Sequence, residues 1–273
     1  VVQVNDFYNL LGAALKATGY KGKLLTWVRF LPQAMPSGLV KLWIAAARRY
    51  ADKIIAVSDA VLRQLPPSSK NVRLYDPVQL DEHRIEKTVN DELIHLLYLS
   101  NFIRGKGQQH AVEAFSFAYK QNANLRLKFI GGDMGLEKNK AFRQELSKRI
   151  SELYLDDVVT VCDFSSDVER EIKTADILLN FSEAESFSMT CLEASFYGTP
   201  VIATRCGGPE EIIKDAETGL LVTPGDVQGM TDAILRLAGD SALRLEFSKA
   251  GKAYTRERFN TNKFKISFSE IIK

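Results

Sequence analysis

Residues 176–211 read DILLNFSEAESFSMTCLEASFYGTPVIATRCGGPEE. The apolar run Ile177-Leu178-Leu179 has the composition of a buried strand, and the polar loop Ser182-Glu183-Ala184-Glu185-Ser186 follows it. Met189, Leu192 and Phe196 then recur at helical spacing until Gly198, which suits the residue just past a helix end. Thr199-Pro200 leads into a second apolar run, Val201-Ile202-Ala203. Gly207-Gly208 breaks that run, and Pro209 suits the first position of another helix. The order strand, loop, helix, strand, glycine loop, helix predicts a parallel sheet. Two helix N-termini emerge at its carboxyl edge, an arrangement suited to anions.

Glu185 and Glu193 have seven residues between them, with Glu185 at the helix mouth and Glu193 about two turns in. Helical rise over eight positions separates them by roughly 12 Å. Paired glycosidase carboxylates sit closer, at about 5–9.5 Å, so the two make a poor acid–base dyad. Their spacing suits two parts of one long ligand. Two glutamates at this distance also arise by chance; what gives the pair weight is that the flanking loop, helix, strand and glycines all arrive in register.

The same residues resemble the donor-binding region of GT-B-fold retaining glycosyltransferases, glycosyltransferase family 4 (glycosyl transferases group 1). The family's E-x7-E is matched by Glu185 and Glu193, and its S-x-x-E-[GS]-F-[GS]-x-x-x-L-E-A by Ser182 through Ala194. Its G-x-P-V-[IV]-A is matched by Gly198 to Ala203, and its G-G-x-x-E by Gly207 to Glu211. A further match, to G-R-x-x-x-x-K-G, lies in the turn Ser100-Asn101-Phe102-Ile103-Arg104-Gly105-Lys106-Gly107. Lys106 stands for the lysine, but Asn101 stands where arginine is usual. Either Arg104 supplies the missing charge or Asn101 offers a neutral hydrogen bond.

The resemblance implies an α/β GT-B protein with two Rossmann-like, doubly wound parallel-sheet domains. It implies transfer of a sugar from a UDP- or GDP-sugar to an acceptor hydroxyl with retention, in polysaccharide or glycolipid assembly. Lys106 and the backbone N–H groups of Ser186, Phe187, Ser188 and Met189 would hold the diphosphate. Glu185 would orient the sugar and Glu193 would accept the ribose hydroxyls; Phe164 either stacks on the base or is an ordinary core aromatic at a strand end. Asn101 and Arg104 complete the donor side. A family histidine is missing after the strand at Lys23–Val28; either Arg29 takes an electrostatic role on the acceptor side or this member lacks that contact. No Asp-x-Asp occurs, so neither a metal nor another cofactor is expected.

Composition fits this reading. The 273 residues are 45% hydrophobic and 26% charged, enough to bury a core of about two domains. No run of about 18 apolar residues marks a membrane span. Three cysteines without metal-ligand spacing point to a reducing cytoplasm. Residues 1–84 hold 12 Lys and Arg against 6 Asp and Glu, and the remainder 24 against 28. The basic portion suits an anionic acceptor, lipid-linked ones included, or peripheral contact with the inner face of a membrane, and equally an ordinary solvated face. The basic residues are scattered and match no nucleic-acid motif.

Along the chain, strands are expected at 1–4, 23–28, 53–57 and 72–74, with helices at 9–18, 39–50 and 59–64. These give a shortened N-terminal domain with its linker, residues 1–88, whose first part is expected to be absent. The donor domain follows over 89–258, opening with a strand at 93–99, and 259–273 forms a terminal crossover helix. The polar stretch 76–92 reads as the linker. Further helices are expected at 142–153, 227–237 and 242–254. His83, His95 and His110 neighbour no nucleophile and read as structural. Two rivals stay open: a nucleotide-sugar-binding protein without catalysis, and a sugar-nucleotide epimerase or phosphorylase on the same fold.

Overall fold

The computed structural model describes residues 1–78 and 92–273. The expected linker falls mostly outside these residues, as do His83 and the boundary at 88. The chain divides into two compact units. The first comprises Val1–Gln79, Ala184–Ser188 and Glu257–Lys273; the second comprises Leu80–Glu183 and Met189–Arg256.

In the first unit, strands β1 (Val2–Val4), β2 (Leu24–Val28), β3 (Lys53–Ala56) and β4 (Asn71–Arg73) form a sheet in that order, every pair parallel. All five residues of β2 are buried, as an apolar strand covered on both faces requires. Helices α1 (Leu11–Ala17), α2 (Ser37–Tyr50) and α3 (Asp59–Leu62) make the crossovers, with a 3-10 turn at Pro32–Ala34. Ser58 caps α3 by accepting from the Val61 N–H at 3.0 Å.

Helix α1 is shorter than the 9–18 expected, and its leucines do not face inward. Leu11 is 74% exposed, and the one buried residue of α1 is Gly12. A Cβ on Gly12 would stand 2.5 Å from Val4 Cγ2, so the helix meets the sheet along its glycine rather than its leucines.

The second unit has β5 (Ile94–Leu99), β6 (Leu125–Ile130), β7 (Val159–Cys162), β8 (Ile177–Asn180), β9 (Val201–Thr204) and β10 (Leu220–Val222). They run in the order β10-β9-β8-β5-β6-β7, all parallel, with Leu96 beside Ile177 and Leu178 beside Val201. The connecting helices are α4 (Gln108–Tyr119), α5 (Glu137–Glu152), α6 (Val168–Thr174), α7 (Met189–Tyr197) and α8 (Pro209–Ile212). Helices α9 (Val227–Gly239) and α10 (Ser241–Arg258) follow. Helix α5 starts five positions earlier than expected; its first turn, Glu137 to Lys140, is polar and gives no apolar signal. One continuous core joins Ile94, Leu96 and Tyr98 of β5 to Phe115 of α4, Phe129 of β6 and Ile234 of α9. Strand order reverses between β5 and β8, which makes their carboxyl ends the switch point of the sheet.

The last helix, α11 (Thr261–Ile272), belongs to the first unit. Phe264 and Phe268 each stack on Trp27 with centroids 6.5 Å apart, and Lys23 Nζ donates to the Ile272 carbonyl at 2.9 Å.

Candidate functional site

At the carboxyl ends of β5 and β8 two loops are stitched together. Tyr98 is 1% exposed, and its hydroxyl accepts from the Phe181 N–H at 2.8 Å while donating to the Lys106 carbonyl. Glu183 N–H donates to the Gly105 carbonyl at 2.8 Å. Gly107, at φ +81°, lies so close that a Cβ there would stand 1.9 Å from the Phe181 carbonyl oxygen. A glycine is therefore obligatory at this point, for the conformation and for the approach. The backbone around Lys106 is thus fixed against Phe181 and Glu183, just after β8. Tyr98 escaped the sequence reading because a tyrosine inside an apolar strand looks like ordinary core.

Asn101 and Arg104 resolve differently from a cationic pair. The Asn101 Oδ1 accepts from the Gly132 N–H at 3.2 Å, which commits the side chain to a neutral bond between two turns. Arg104 pairs with Glu145 and lies 5.1 Å from the Phe142 ring centroid, so its guanidinium is engaged on α5. Both side chains proposed for the missing arginine are thus bonded within the protein, Asn101 to Gly132 and Arg104 to Glu145.

Phe164, 73% exposed, lines a cavity of about 150 Å³ with Ser100, Asn101, Gly131, Val168 and Thr190. That is smaller than the roughly 300–1,000 Å³ of a whole-ligand pocket, and it suits one moiety of a ligand. A larger cavity of about 430 Å³ runs past His95, Arg126, Lys128 and Glu171, along the amino-terminal halves of the strands and away from these turns.

Glu193 sits on α7, half-buried, and burial pushes its carboxyl above the ordinary 4.5. Met189, the first residue of α7, is 39% exposed. Glu185 and Ser186 are half-buried on the preceding loop, in the segment grouped with the first unit. Phe187 is buried there, stacked on Tyr75 at 5.5 Å and edge-on to Phe259 at 5.6 Å. Ser188 takes a left-handed φ of 78°, turning the chain into α7. His110 lies 3.9 Å from Glu183, and His95 3.7 Å from Asp176.

At the carboxyl edge of the first sheet, Arg29 holds Asp76 through two bonds of 2.5 and 3.1 Å and Asn5 through one of 2.6 Å. Its N–H donates to Asp6 Oδ1 at 2.8 Å. Asp6 is buried at φ +83°, and burial raises its pKa against the opposing pull of Arg29. Sequence reasoning named Arg29 alone. Asn5, Asp6 and Asp76 were legible only as polar residues closing β1 and following β4. Among the described residues no group of three or more His, Cys, Asp or Glu side chains is placed to hold a metal ion. No helix among them is long and apolar enough to cross a membrane.

The family model of glycosyl transferases group 1 matches residues 80–254, which include all of the described second unit except its last two residues. The chain belongs to this family. Relatives in the family include a D-inositol 3-phosphate glycosyltransferase of Pseudarthrobacter chlorophenolicus, 31% identical over 190 residues, covering 68% of this chain and 44% of that protein. An N-acetyl-alpha-D-glucosaminyl L-malate synthase of Bacillus anthracis is 26% identical over 200 residues, covering 73% of this chain and 50% of the other. The chain thus spans about half the length of these curated relatives. Among solved structures, Anabaena Alr3699/HepE, in complex with UDP and glucose, superimposes with a TM-score of 0.86 at 18% identity. That match covers 98% of this chain and 76% of the other. Sucrose-phosphate synthase from Thermosynechococcus elongatus gives 0.82 at 21% identity over 98% of this chain and 72% of its own. These likenesses establish the GT-B fold class, two Rossmann-like parallel-sheet units.

Proposed function

We propose that this group 1 glycosyltransferase chain moves a sugar, with retention, from a UDP- or GDP-sugar to a carbohydrate or lipid-linked acceptor hydroxyl. The observation that carries the reading is the fixed turn at Lys106, held by Tyr98 and Gly107 against Phe181 just after β8. A lysine carried on a preorganised turn can stabilise charge as it develops on a leaving diphosphate, which is where such a reaction needs help. Lys106 and the N–H groups leading into α7 supply that charge complement. Glu193 accepts the ribose hydroxyls, Glu185 orients the sugar, and Phe164 offers a face to the base. The reaction proceeds without a metal, and Arg29 with Asp76 orients the acceptor. The UDP and glucose held by the Anabaena relative support this choice of ligand.

Residues 1–50 hold seven Lys and Arg, and their one acidic residue, Asp6, is buried. That balance suits an anionic acceptor. Calorimetric titration with UDP, GDP and ADP tests the donor half of the proposal. Binding of one of them, weakened about ten- to hundredfold in Glu193→Ala, is the expected result for hydrogen bonds to a carboxylate. Equal affinity in that variant would remove the ribose assignment. Binding without transfer or hydrolysis would favour a nucleotide-sugar-binding protein, a reading that draws on Asn101 standing in place of an arginine.

A further inference from the structure

Gln108, the first residue of α4, is completely buried, and its Oε1 has no hydrogen-bond partner. Its Nε2 donates to the Asn101 carbonyl at 2.8 Å. That carbonyl also accepts from the Ile103 N–H at 2.9 Å, so it does not depend on Gln108 to be satisfied. Asn101 in turn reaches Gly132 through its side chain. The two turns are further joined by Ser100 N–H to Ile130 at 3.0 Å and Phe102 N–H to Gly132 at 2.9 Å. Gly131 completes the approach: a Cβ on it would stand 1.9 Å from the Ser100 carbonyl oxygen. Ser100, Asn101 and Gly131 all line the 150 Å³ cavity beneath Phe164.

A fully buried amide with an orphaned oxygen is a poor choice for stability alone, since an apolar side chain of equal volume would avoid the loss. We propose that Gln108 is a positioning residue: acting through Asn101, it sets the spacing of the two turns that frame the nucleotide cavity. This rests on the donor reading above. The asparagine carries no charge to the ligand; it serves as a brace, and Gln108 orients the brace from behind.

Gln108→Met keeps the shape and removes both the donor and the orphaned acceptor. The test measures melting temperature, amide exchange at Gly132 and affinity for UDP, GDP and ADP in the wild type, Q108M, N101A and the double variant. Q108M should melt at or above the wild-type temperature while its Gly132 amide exchanges faster. Affinity for the preferred nucleotide should fall about five- to tenfold, the loss of one neutral hydrogen bond. N101A should show a similar loss and the double variant little more, because the two residues act in series. Wild-type affinity in Q108M, additive losses, unchanged Gly132 exchange, or a drop in melting temperature that accounts for the weakened binding would each overturn the proposal. If the wild type binds none of the three nucleotides, the donor reading falls and the proposal with it. Binding by the wild type with an indifferent Q108M overturns the proposal alone.

Discussion

Glu193 shows how one half-buried side chain can set a pH dependence. Its carboxyl is raised above 4.5 by burial, so the folded chain holds the proton more tightly than the unfolded one. Its contribution to stability is full below the unfolded value and is lost as pH rises through the folded one. A ribose hydroxyl that donates to Glu193 favours the ionised form. Nucleotide affinity should therefore rise with pH from the ordinary 4.5 upward, and Glu193→Gln should flatten the acid limb; titrations that begin below that pH check this. Tyr98→Phe should cost about 1–3 kcal/mol, because it strands the buried Phe181 N–H, and chemical denaturation measures it. On the proposed role, Lys106→Ala should lower turnover about 10²- to 10³-fold in a transfer assay, as for a group that meets charge formed in the transition state.

At the scale of elements, the crossovers obey patterning where both faces are covered and depart from it where one is not. Strands β8 and β9 are buried throughout, and their apolar runs announce them. Helix α1 carries leucines at helical spacing yet turns Gly12 to the sheet, because only a glycine permits so close an approach to Val4 and Leu24. Leu11→Gln should accordingly change stability by no more than about 0.5 kcal/mol, against the several expected of a core leucine. The turn into α4 behaves oppositely. Gly107→Ala should cost about 2–5 kcal/mol through its left-handed φ and the collision with the Phe181 carbonyl, a difference visible in thermal melts.

For the whole molecule, the second unit has its own six-stranded sheet and continuous core, and the family model spans it. A fragment covering residues 80–256 should fold cooperatively and bind the same nucleoside diphosphate as the full chain, which circular dichroism and calorimetry would show. The sequence by itself determined the alternation of strands and helices and the family, and it named Glu185, Glu193 and Lys106 as candidates. Those rest on local periodicity and short spacings, which one stretch of chain carries. Only the tertiary structure decided that Asn101 braces Gly132, that Arg104 is taken by Glu145, that Tyr98 ties β5 to the loop after β8, and that Arg29 gathers Asn5, Asp6 and Asp76. Each of these is a bond between residues distant in the chain, and its partner is chosen by how strands order in the sheet, which no local pattern records.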